Sequence, residues 1–215
     1  VYTTADAPSG SYVGVYARTS NSDNVLGDIN PDWTGGIKNS FKYKDFNASF
    51  LIDIQEGGNF FSLDTYYGFA TGIYDRSVGN NELGNPIRNS IANGGGVILP
   101  GVNADGSPNT TRGRTDWYAN PFGYSRGMNA QHVYDASFVK LREVSIGYDF
   151  PESLIGNSPL TAASISLIGR NLWIISKNSP YTDPEAGLSA GNIQGNQSGA
   201  YPSVREIGVN VKLSF

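Results

Sequence analysis

Few side chains in this sequence have the type and spacing that catalysis requires. Asp183 and Glu185 are two carboxylates that could act as a general acid and base, and His132 could act as a base. Pro184 separates the two carboxylates within a polar loop, which favours a structural turn or a loop-capping role. No recognisable nucleophile motif accompanies His132, which favours an ordinary loop residue. We therefore predict no catalytic site and no enzymatic activity.

Metal and phosphate sites are equally poorly supported. The segment Asn103–Ser107 resembles part of a calcium loop, but it lacks the acidic first position and the bidentate Glu. The run Gly94–Gly96 lacks the Lys and Ser or Thr of a phosphate-binding loop. With no Cys and one His, the usual ligand sets for zinc, iron–sulfur clusters and haem are excluded. The sequence predicts no metal and no cofactor.

One loop combines aromatic and basic side chains in a way that suits contact with a ligand or partner protein. Tyr and Trp present flat apolar rings with polar tips, which stack on sugars or pack against proteins. The alternative is that these residues pack the loop against itself or form an external aromatic girdle. Both interpretations remain open for the candidates Arg112, Arg114, Trp117, Tyr118, Phe122 and Tyr124.

The composition indicates β-strands with one apolar face, joined by many turns. Hydrophobic residues make up 39% of the 215 residues, while aromatics reach 12% and glycines number 27. A net charge of −4 without long charge runs argues against nucleic acid as a partner. The longest apolar runs are tripeptides such as Phe50–Ile52, whereas a membrane helix needs about twenty apolar residues. Membrane-spanning strands remain possible because they alternate.

Period-two alternation predicts about five strands. Trp33–Tyr43 and Phe46–Ile54 alternate on either side of Lys44-Asp45, which predicts a β-hairpin with strands long enough to cross a bilayer. Further strands are predicted from Asp135 to Phe150, from Ala163 to Trp173 and from Ile207 to Phe215. The hairpin residues expected to face a polar interior are Lys38, Ser40, Lys42, Asn47, Ser49 and Asp53.

Two features interrupt this pattern. The alternation changes phase near Arg142-Glu143, which predicts a β-bulge. Residues 57–132 form a long connection rich in Asn, Gly and Pro, in which only Phe60–Tyr74 suggests a short helix or ragged strand. We expect the rest of this connection to lack structure and to form a long extracellular loop region.

Several stretches resemble the SusC/RagA-type TonB-dependent transporters of Bacteroidota. Leu26–Trp33 resembles the family's "LG-NPDW" start of a hairpin, and Tyr134–Glu143 is similar to its "DASFVKLRE" strand. Gly169–Leu172 resembles its "GRNL" element and Asp183–Glu185 its "DPE" loop. The last strand resembles the terminal signal of outer-membrane barrels, and its expected barrel-closing residues are Gly208, Val211, Leu213 and Phe215.

The resemblance implies an all-β fold, an antiparallel transmembrane β-barrel of 22 strands in the bacterial outer membrane. Residues 1–215 would be its C-terminal part, and the plug domain and the TonB-contacting segment have no counterpart here. The implied function is import of oligosaccharides, peptides or similar nutrients, driven by TonB, with a SusD-like surface lipoprotein, outer-membrane lipid and the rest of the barrel as partners. Two alternatives are a structural or secretion-linked barrel scaffold and, less favoured, a soluble β-sandwich binding module.

Overall fold

A computed structural model describes residues 13–18, 23–116, 120–124, 127–187 and 194–215. The elements are β1 (Trp33–Tyr43), β2 (Phe46–Glu56), β3 (Asn59–Ser62), α1 (Leu63–Thr71), β4 (Val133–Asp135), β5 (Phe138–Asp149), α2 (Glu152–Ile155), β6 (Ala162–Lys177), β7 (Asn196–Gln197) and β8 (Glu206–Ser214). Short 3-10 helices occupy Asp75–Ser77, Ile91–Asn93, Asn129–His132 and Pro184–Gly187. Among these described residues, no helix is both long enough and apolar enough to cross a bilayer.

The chain divides into two compact units. The first comprises Val1–Gly27, Phe60–Tyr134 and Gly187–Ala200, and the second comprises Asp28–Asn59, Asp135–Ala186 and Tyr201–Phe215. The second unit contains a five-stranded sheet in the order β1-β2-β5-β6-β8, in which every neighbouring pair is antiparallel. This sheet confirms the predicted antiparallel all-β class and its five alternating strands, whereas closure into a barrel and the number of 22 strands remain predictions.

A two-residue turn connects the first pair of strands. Tyr43 pairs with Phe46, so only Lys44 and Asp45 lie in the turn. Lys44 has a φ of 52°, in the left-handed region that such tight hairpin turns require. The hairpin predicted from the sequence is therefore confirmed, and each of its strands has 11 residues.

The predicted bulge is present in β5. Leu51 of β2 pairs with Glu143, but the next residue, Ile52, pairs with Leu141, so Arg142 is one extra residue in the ladder. Successive side chains of a strand point to opposite faces. One extra residue therefore shifts the alternation by one position, which accounts for the change of phase in the sequence. The apolar residues before and after the bulge consequently project from the same face of the sheet.

The two ends of the sheet differ in the length of their connections. The segments 44–45 and 150–161 join strands at one end. The much longer segments 57–137 and 178–205 leave and rejoin the sheet at the opposite end. Long and short connections therefore segregate to opposite ends, as they do in transmembrane barrels.

The first unit contains ordered structure where the sequence predicted little. Helix α1 begins after Ser62, whose Oγ accepts a hydrogen bond from the Thr65 N–H, and it ends at Gly72, which has a φ of 80°. A small sheet in the order β4-β3-β7 precedes and follows it. The prediction of a short helix or strand near residues 60–74 is right on both counts, since β3 leads directly into α1.

The expectation that the rest of this connection lacks structure is wrong. Ile87 and Leu99 from this part are buried, and they extend the small core that Phe60, Phe69 and Ala70 begin. Asn side chains satisfy backbone groups in place of a sheet ladder: Asn81 Nδ2 donates to the carbonyls of Gly94 and Gly96, and Asn109 Nδ2 donates to that of Leu99. The high Asn content thus indicates side-chain to backbone bonding.

Candidate functional site

Most of the large apolar side chains of the five strands project from one face of the sheet. A single row of paired residues crosses it: Phe41, Ala48, Ile146, Leu167 and Val209. In this row Phe41 is 57% exposed and Val209 is 65% exposed. Other large exposed members of the face are Ile37, Tyr43, Phe46, Ile165, Trp173, Ile207, Val211 and Leu213. Because a water-soluble protein rarely exposes an apolar patch of this extent, the face requires an apolar environment.

Aromatic side chains concentrate toward the ends of the strands on this face. Tyr43, Phe46 and Phe150 are exposed at the end with short connections, and Phe46 lies 4.8 Å from the ring of Tyr148. Trp33 is exposed at the opposite end of the hairpin. Apart from the neighbouring rings of Phe41 and Phe50, the middle of the face is mostly aliphatic. Aromatic ends around an aliphatic middle are typical of strands that cross a bilayer.

The predicted barrel-closing residues lie on β8, the last strand in the sheet order. Val211 and Leu213 belong to the apolar face, whereas Gly208 pairs with Ile168 on the polar face. Phe215 follows the strand and is 81% exposed. Their placement agrees with the predicted alternation, and their role in closing a barrel remains a prediction.

The opposite, polar face carries an ion-pair network. Lys140 is buried and its ammonium lies 2.6 Å from Asp183 Oδ1. Arg142 donates to Glu185 Oε1 at 2.6 Å and, through Nε, to Asp53 Oδ2 at 3.0 Å. Lys140 also pairs with Glu185. Three carboxylates and two basic groups thus fix the loop after β6 onto the polar face of the sheet.

Neighbouring loop residues complete the network. The Ser203 N–H donates to Asp183 Oδ2 at 2.9 Å. Asn171, which has a φ of 50°, accepts a hydrogen bond from Arg142 Nη1 at 2.9 Å and donates to the Val204 carbonyl at 3.2 Å. The three motifs "KLR", "GRN" and "DPE" of the sequence therefore meet at one place.

The charges of this network exclude acid catalysis by its carboxylates. Burial alone would raise the pKa of Asp183, but hydrogen bonds from Lys140 and Ser203 hold it well below its usual range. The pKa of Glu185 is lowered as well, because hydrogen bonds from Arg142 and Lys140 outweigh its burial. Both groups stay ionised and paired at neutral pH. The structural interpretation of Asp183 and Glu185 is confirmed.

His132 is a core residue, and its interpretation as an ordinary loop residue is wrong. Its side chain is fully buried, and its Nδ1 lies 3.1 Å from Thr65 Oγ1. The rings of Phe61, Tyr66 and Phe69 surround it at centroid distances of 6.1, 5.2 and 5.9 Å. Burial, followed by the charge of Arg76, lowers the pKa of His132 to about 4. A base in this position has no access to a substrate.

The buried His132 makes the stability of the first unit dependent on pH. Its pKa is lowered from 6.5 to about 4 in the folded state, so the unfolded state binds the proton more readily. The free energy of unfolding should therefore fall by at most about 1.4 kcal/mol per pH unit as the pH drops from 6.5 toward 4, with the steepest fall midway. Limited proteolysis of this unit across that range measures the effect. Since the chain has one His, His132→Asn should abolish this dependence, and an unchanged slope would contradict it.

Side-chain hydrogen bonds close the segment that resembles part of a calcium loop. Asp105 Oδ1 accepts hydrogen bonds from the Ser107 N–H at 2.9 Å and from its hydroxyl at 2.6 Å. The segment Asn103–Ser107 is accordingly a turn closed by its own Asp, as predicted. Within the described part of the chain, no group of three His, Cys, Asp or Glu residues could hold a metal ion.

The two predicted basic contact residues have partners within the first unit. Arg112 pairs with Glu82 and donates to the Gly96 carbonyl at 3.1 Å. Arg114 Nε donates to Asp116 at 2.8 Å. These contacts favour the alternative interpretation, in which the loop is held to itself. Contact of either arginine with a ligand remains a prediction.

The predicted aromatic contact residues are only partly described. Trp117 and Tyr118 lie outside the described residues. The ring of Phe122 lies 5.7 Å from the Arg76 guanidinium. Tyr124 stacks on Tyr67 of α1, with ring centroids 5.3 Å apart and an interplanar angle of 24°. The structure thus brings Tyr124 to a residue that the sequence analysis missed.

Tyr67 could have been found from helical spacing. Leu63, Tyr67 and Thr71 recur every four residues after the capping Ser62, and such spacing places side chains on one face of a helix. Leu63, Tyr67 and Thr71 line a groove together with Ile73, Tyr74 and Ser198. Tyr67 is 45% exposed in it.

Comparison with curated proteins finds relatives of one kind. The chain is 29% identical over 197 residues to TonB-dependent receptor P3 of Formosa agariphila, covering 89% of this chain and 17% of that protein. It is 25% identical over 199 residues to TonB-dependent receptor P26 of the same organism, covering 89% of this chain and 18% of the relative. The chain therefore spans less than a fifth of these relatives' length. No family model matches the sequence.

Solved structures share the fold. The RagAB peptide importer in its closed-closed state superposes with a TM-score of 0.59 and 19% identity, over 100% of this chain and 21% of that one. In the open-open state the TM-score is 0.56 and the identity 20%, over 92% and 19% of the two chains. Since the curated relatives are receptors and not enzymes, they agree with the prediction that this chain is not an enzyme.

Proposed function

We propose that this chain is a segment of a TonB-dependent receptor of the SusC/RagA type and that the whole protein imports nutrients across the bacterial outer membrane. Oligosaccharides, peptides or similar molecules are its expected substrates. The segment covers 17% of the TonB-dependent receptor P3, so energy coupling and much of the substrate path belong to other parts of the whole protein.

The continuous apolar face carries this proposal. Five neighbouring strands expose apolar side chains on one face, with residues such as Ile207 at 74% exposure, and polar or charged side chains on the other. Lipid on the first face and a hydrated lumen on the second satisfy both surfaces at once. The strands are long enough for this, because a tilted membrane strand needs about 9–11 residues and β1 and β2 have 11 each.

A sheet in lipid must also close on itself. Backbone groups at an open edge would have no hydrogen-bond partner in the hydrocarbon layer. In the proposed receptor, β1 and β8 therefore pair with further strands of the same barrel, for which 22 strands is the expected number. Gly208, Val211, Leu213 and Phe215 would lie at the seam.

The connections give the proposed orientation. Outer-membrane barrels have short turns on the periplasmic side and long loops on the outside. The segments 57–137 and 178–205 would then face the exterior, and the 44–45 turn the periplasm. The extracellular side is where a SusD-like lipoprotein would cover the barrel, as the name RagAB peptide importer suggests for a two-component assembly. TonB would supply the energy through the part of the protein that precedes this segment.

Deletion of the whole gene in its native host tests the proposal. We expect loss of growth on at least one oligosaccharide or peptide source, with the same loss after TonB depletion and recovery on complementation. Monosaccharides and free amino acids serve as the control, because they need no such receptor. Unchanged uptake of every source, combined with a defective envelope, would favour the structural scaffold and contradict transport.

A further inference from the structure

A groove in the first unit has the size and lining of a ligand site. It is an open groove of about 400 Å³ lined partly by α1. Sites for small ligands commonly enclose about 300–1,000 Å³ and combine apolar walls with a few polar groups. Its lining includes Leu63, Tyr67 and Thr71 of α1 and, after the helix, Ile73 and Tyr74.

The lining segment around Ser198 is fixed to the helix. Asp64 Oδ1 accepts a hydrogen bond from the Gly199 N–H at 2.9 Å, and Asp64 also pairs with the side chain of Gln197. Gln197 Oε1 in turn accepts from the buried Ser62 hydroxyl at 2.6 Å. Ser198, between these anchored residues, lines the groove. The shape of the groove is therefore held by hydrogen bonds on both sides of Ser198.

Tyr67 is held as a flat platform. Tyr124 stacks against its ring at 5.3 Å, and Tyr66 approaches it edge-on at 5.3 Å. Tyr124 does not line the groove whereas Tyr67 does, so Tyr124 supports the ring from behind. An aromatic ring that is already oriented loses little entropy when a ligand stacks on it.

The second ring of the groove is also seated closely. Tyr74 lies against the backbone of Gly68, where an added Cβ would come within 2.2 Å of the Tyr74 ring. Glycine at this position allows the ring to approach the helix. Two tyrosine rings and the Ile73 side chain, which is 75% exposed, thus surround a space bordered by hydroxyl groups.

From this lining we infer that the groove binds a neutral oligosaccharide. Sugar rings present an apolar C–H face to an aromatic ring and hydroxyls to polar groups around it, here Thr71, Ser198 and Asp64. Among the described residues that line the groove, Asp64 is the one charged residue and none is basic, which disfavours anionic sugars. The inference rests on the proposed import function and narrows its substrate class.

A peptide fits this groove less well. Extended peptides are commonly bound by addition to a free strand edge, which supplies backbone hydrogen bonds. This groove is lined by helix α1, whose backbone groups form hydrogen bonds within the helix itself. The groove instead offers aromatic rings for stacking and side-chain hydroxyls for hydrogen bonds.

Calorimetry on the full-length, detergent-purified receptor tests the inference. The probes are neutral hexasaccharides of α- and β-glucan, mannan and xylan. An alginate hexasaccharide and a mixed hexapeptide library represent the two alternative ligand classes, anionic sugars and peptides. We expect at least one neutral probe to bind. Tyr67→Ala should weaken it about tenfold, which corresponds to about 1.4 kcal/mol, while Tyr67→Phe should stay within about threefold of the parent.

Controls separate the groove from the rest of the receptor. Ile73→Ala should weaken binding severalfold, whereas Tyr201→Ala, at a position 97% exposed outside the groove, should leave it unchanged. Equal thermal unfolding of the Tyr67 variants would show that folding is intact. Binding of peptide or alginate alone, no binding of any neutral probe, or insensitivity to Tyr67→Ala would overturn the inference. None of these outcomes would contradict nutrient import by the whole protein, because the gene deletion tests that proposal separately.

Discussion

Val209→Arg is expected to destabilise the whole receptor in a lipid bilayer by about 2–4 kcal/mol, the cost of a basic side chain facing lipid near the midplane. Val209 lies near the middle of β8 on the apolar face. In water the same change would cost about 0.5 kcal/mol or less, because Val209 is 65% exposed and its surface would simply become more polar. The size of the destabilisation therefore shows whether the apolar face contacts lipid or water.

Asn210→Arg provides the matched control. Asn210 is the next residue of the same strand, and it pairs with Ser166 on the polar face. Chemical unfolding of the receptor in phospholipid vesicles, together with the amount of folded receptor recovered from outer membranes, compares the two variants. Equal stability of both variants would show that the apolar face does not meet lipid, and the transport proposal would lose its physical basis.

The second large effect is expected at the ion-pair network. Lys140→Met removes the ammonium and leaves the carboxylate of Asp183 buried without its main partner. Breaking a buried ion pair in this way costs about 3–5 kcal/mol. The double variant Lys140→Met, Asp183→Asn should lose less than the sum of the two single variants, because neither charge is then left unpaired. Chemical unfolding in vesicles measures all three variants.

An exposed pair of the same sheet serves as a control for the network. Lys42 lies 3.2 Å from Asp149, and their side chains are 68% and 45% exposed. Lys42→Met should cost about 1 kcal/mol or less, because water screens the pair. A loss at Lys140 as small as that at Lys42 would show that the network contributes no more than a surface contact.

The same network has a predictable acid limit. Because its pKa is lowered in the folded state, Asp183 contributes stability at neutral pH, and that contribution declines once the pH falls below 3.8. The loss of stability caused by the buried His132 falls in the higher range, between pH 6.5 and 4. Although both effects weaken the fold on acidification, they occupy separate pH windows and separate units of the chain.

The sheet was predictable because alternation is a local property. Phe46 to Ile54 and Ile207 to Leu213 show period two directly, and even the bulge at Arg142 was visible as a lost phase. The network was not predictable from these patterns, since Lys140 and Asp183 lie 43 residues apart and meet only through the loop after β6. A contact between residues so far apart in the sequence leaves no periodic pattern by which it could be predicted.

The first unit was hardest to predict for a physical reason. Asn81 and Asn109 bond backbone carbonyls through their side chains, so the chain is ordered without any repeating hydrophobic pattern. The rings of Tyr66, Tyr67 and Tyr124 likewise meet across a separation of more than fifty residues. Composition predicted aromatic contacts in this region, but it could not identify which ring faces outward.

The single extra residue in β5 has a consequence for how this strand can change. Without Arg142, the half of the strand that runs from Val144 to Tyr148 would shift by one residue and present its apolar side chains to the polar face of the sheet. One-residue insertions or deletions in β5 are thus far more disruptive than substitutions. The same residue that keeps the two halves in step also supplies the guanidinium that binds Asp53 and Glu185, so its loss would remove an alignment and an anchor together.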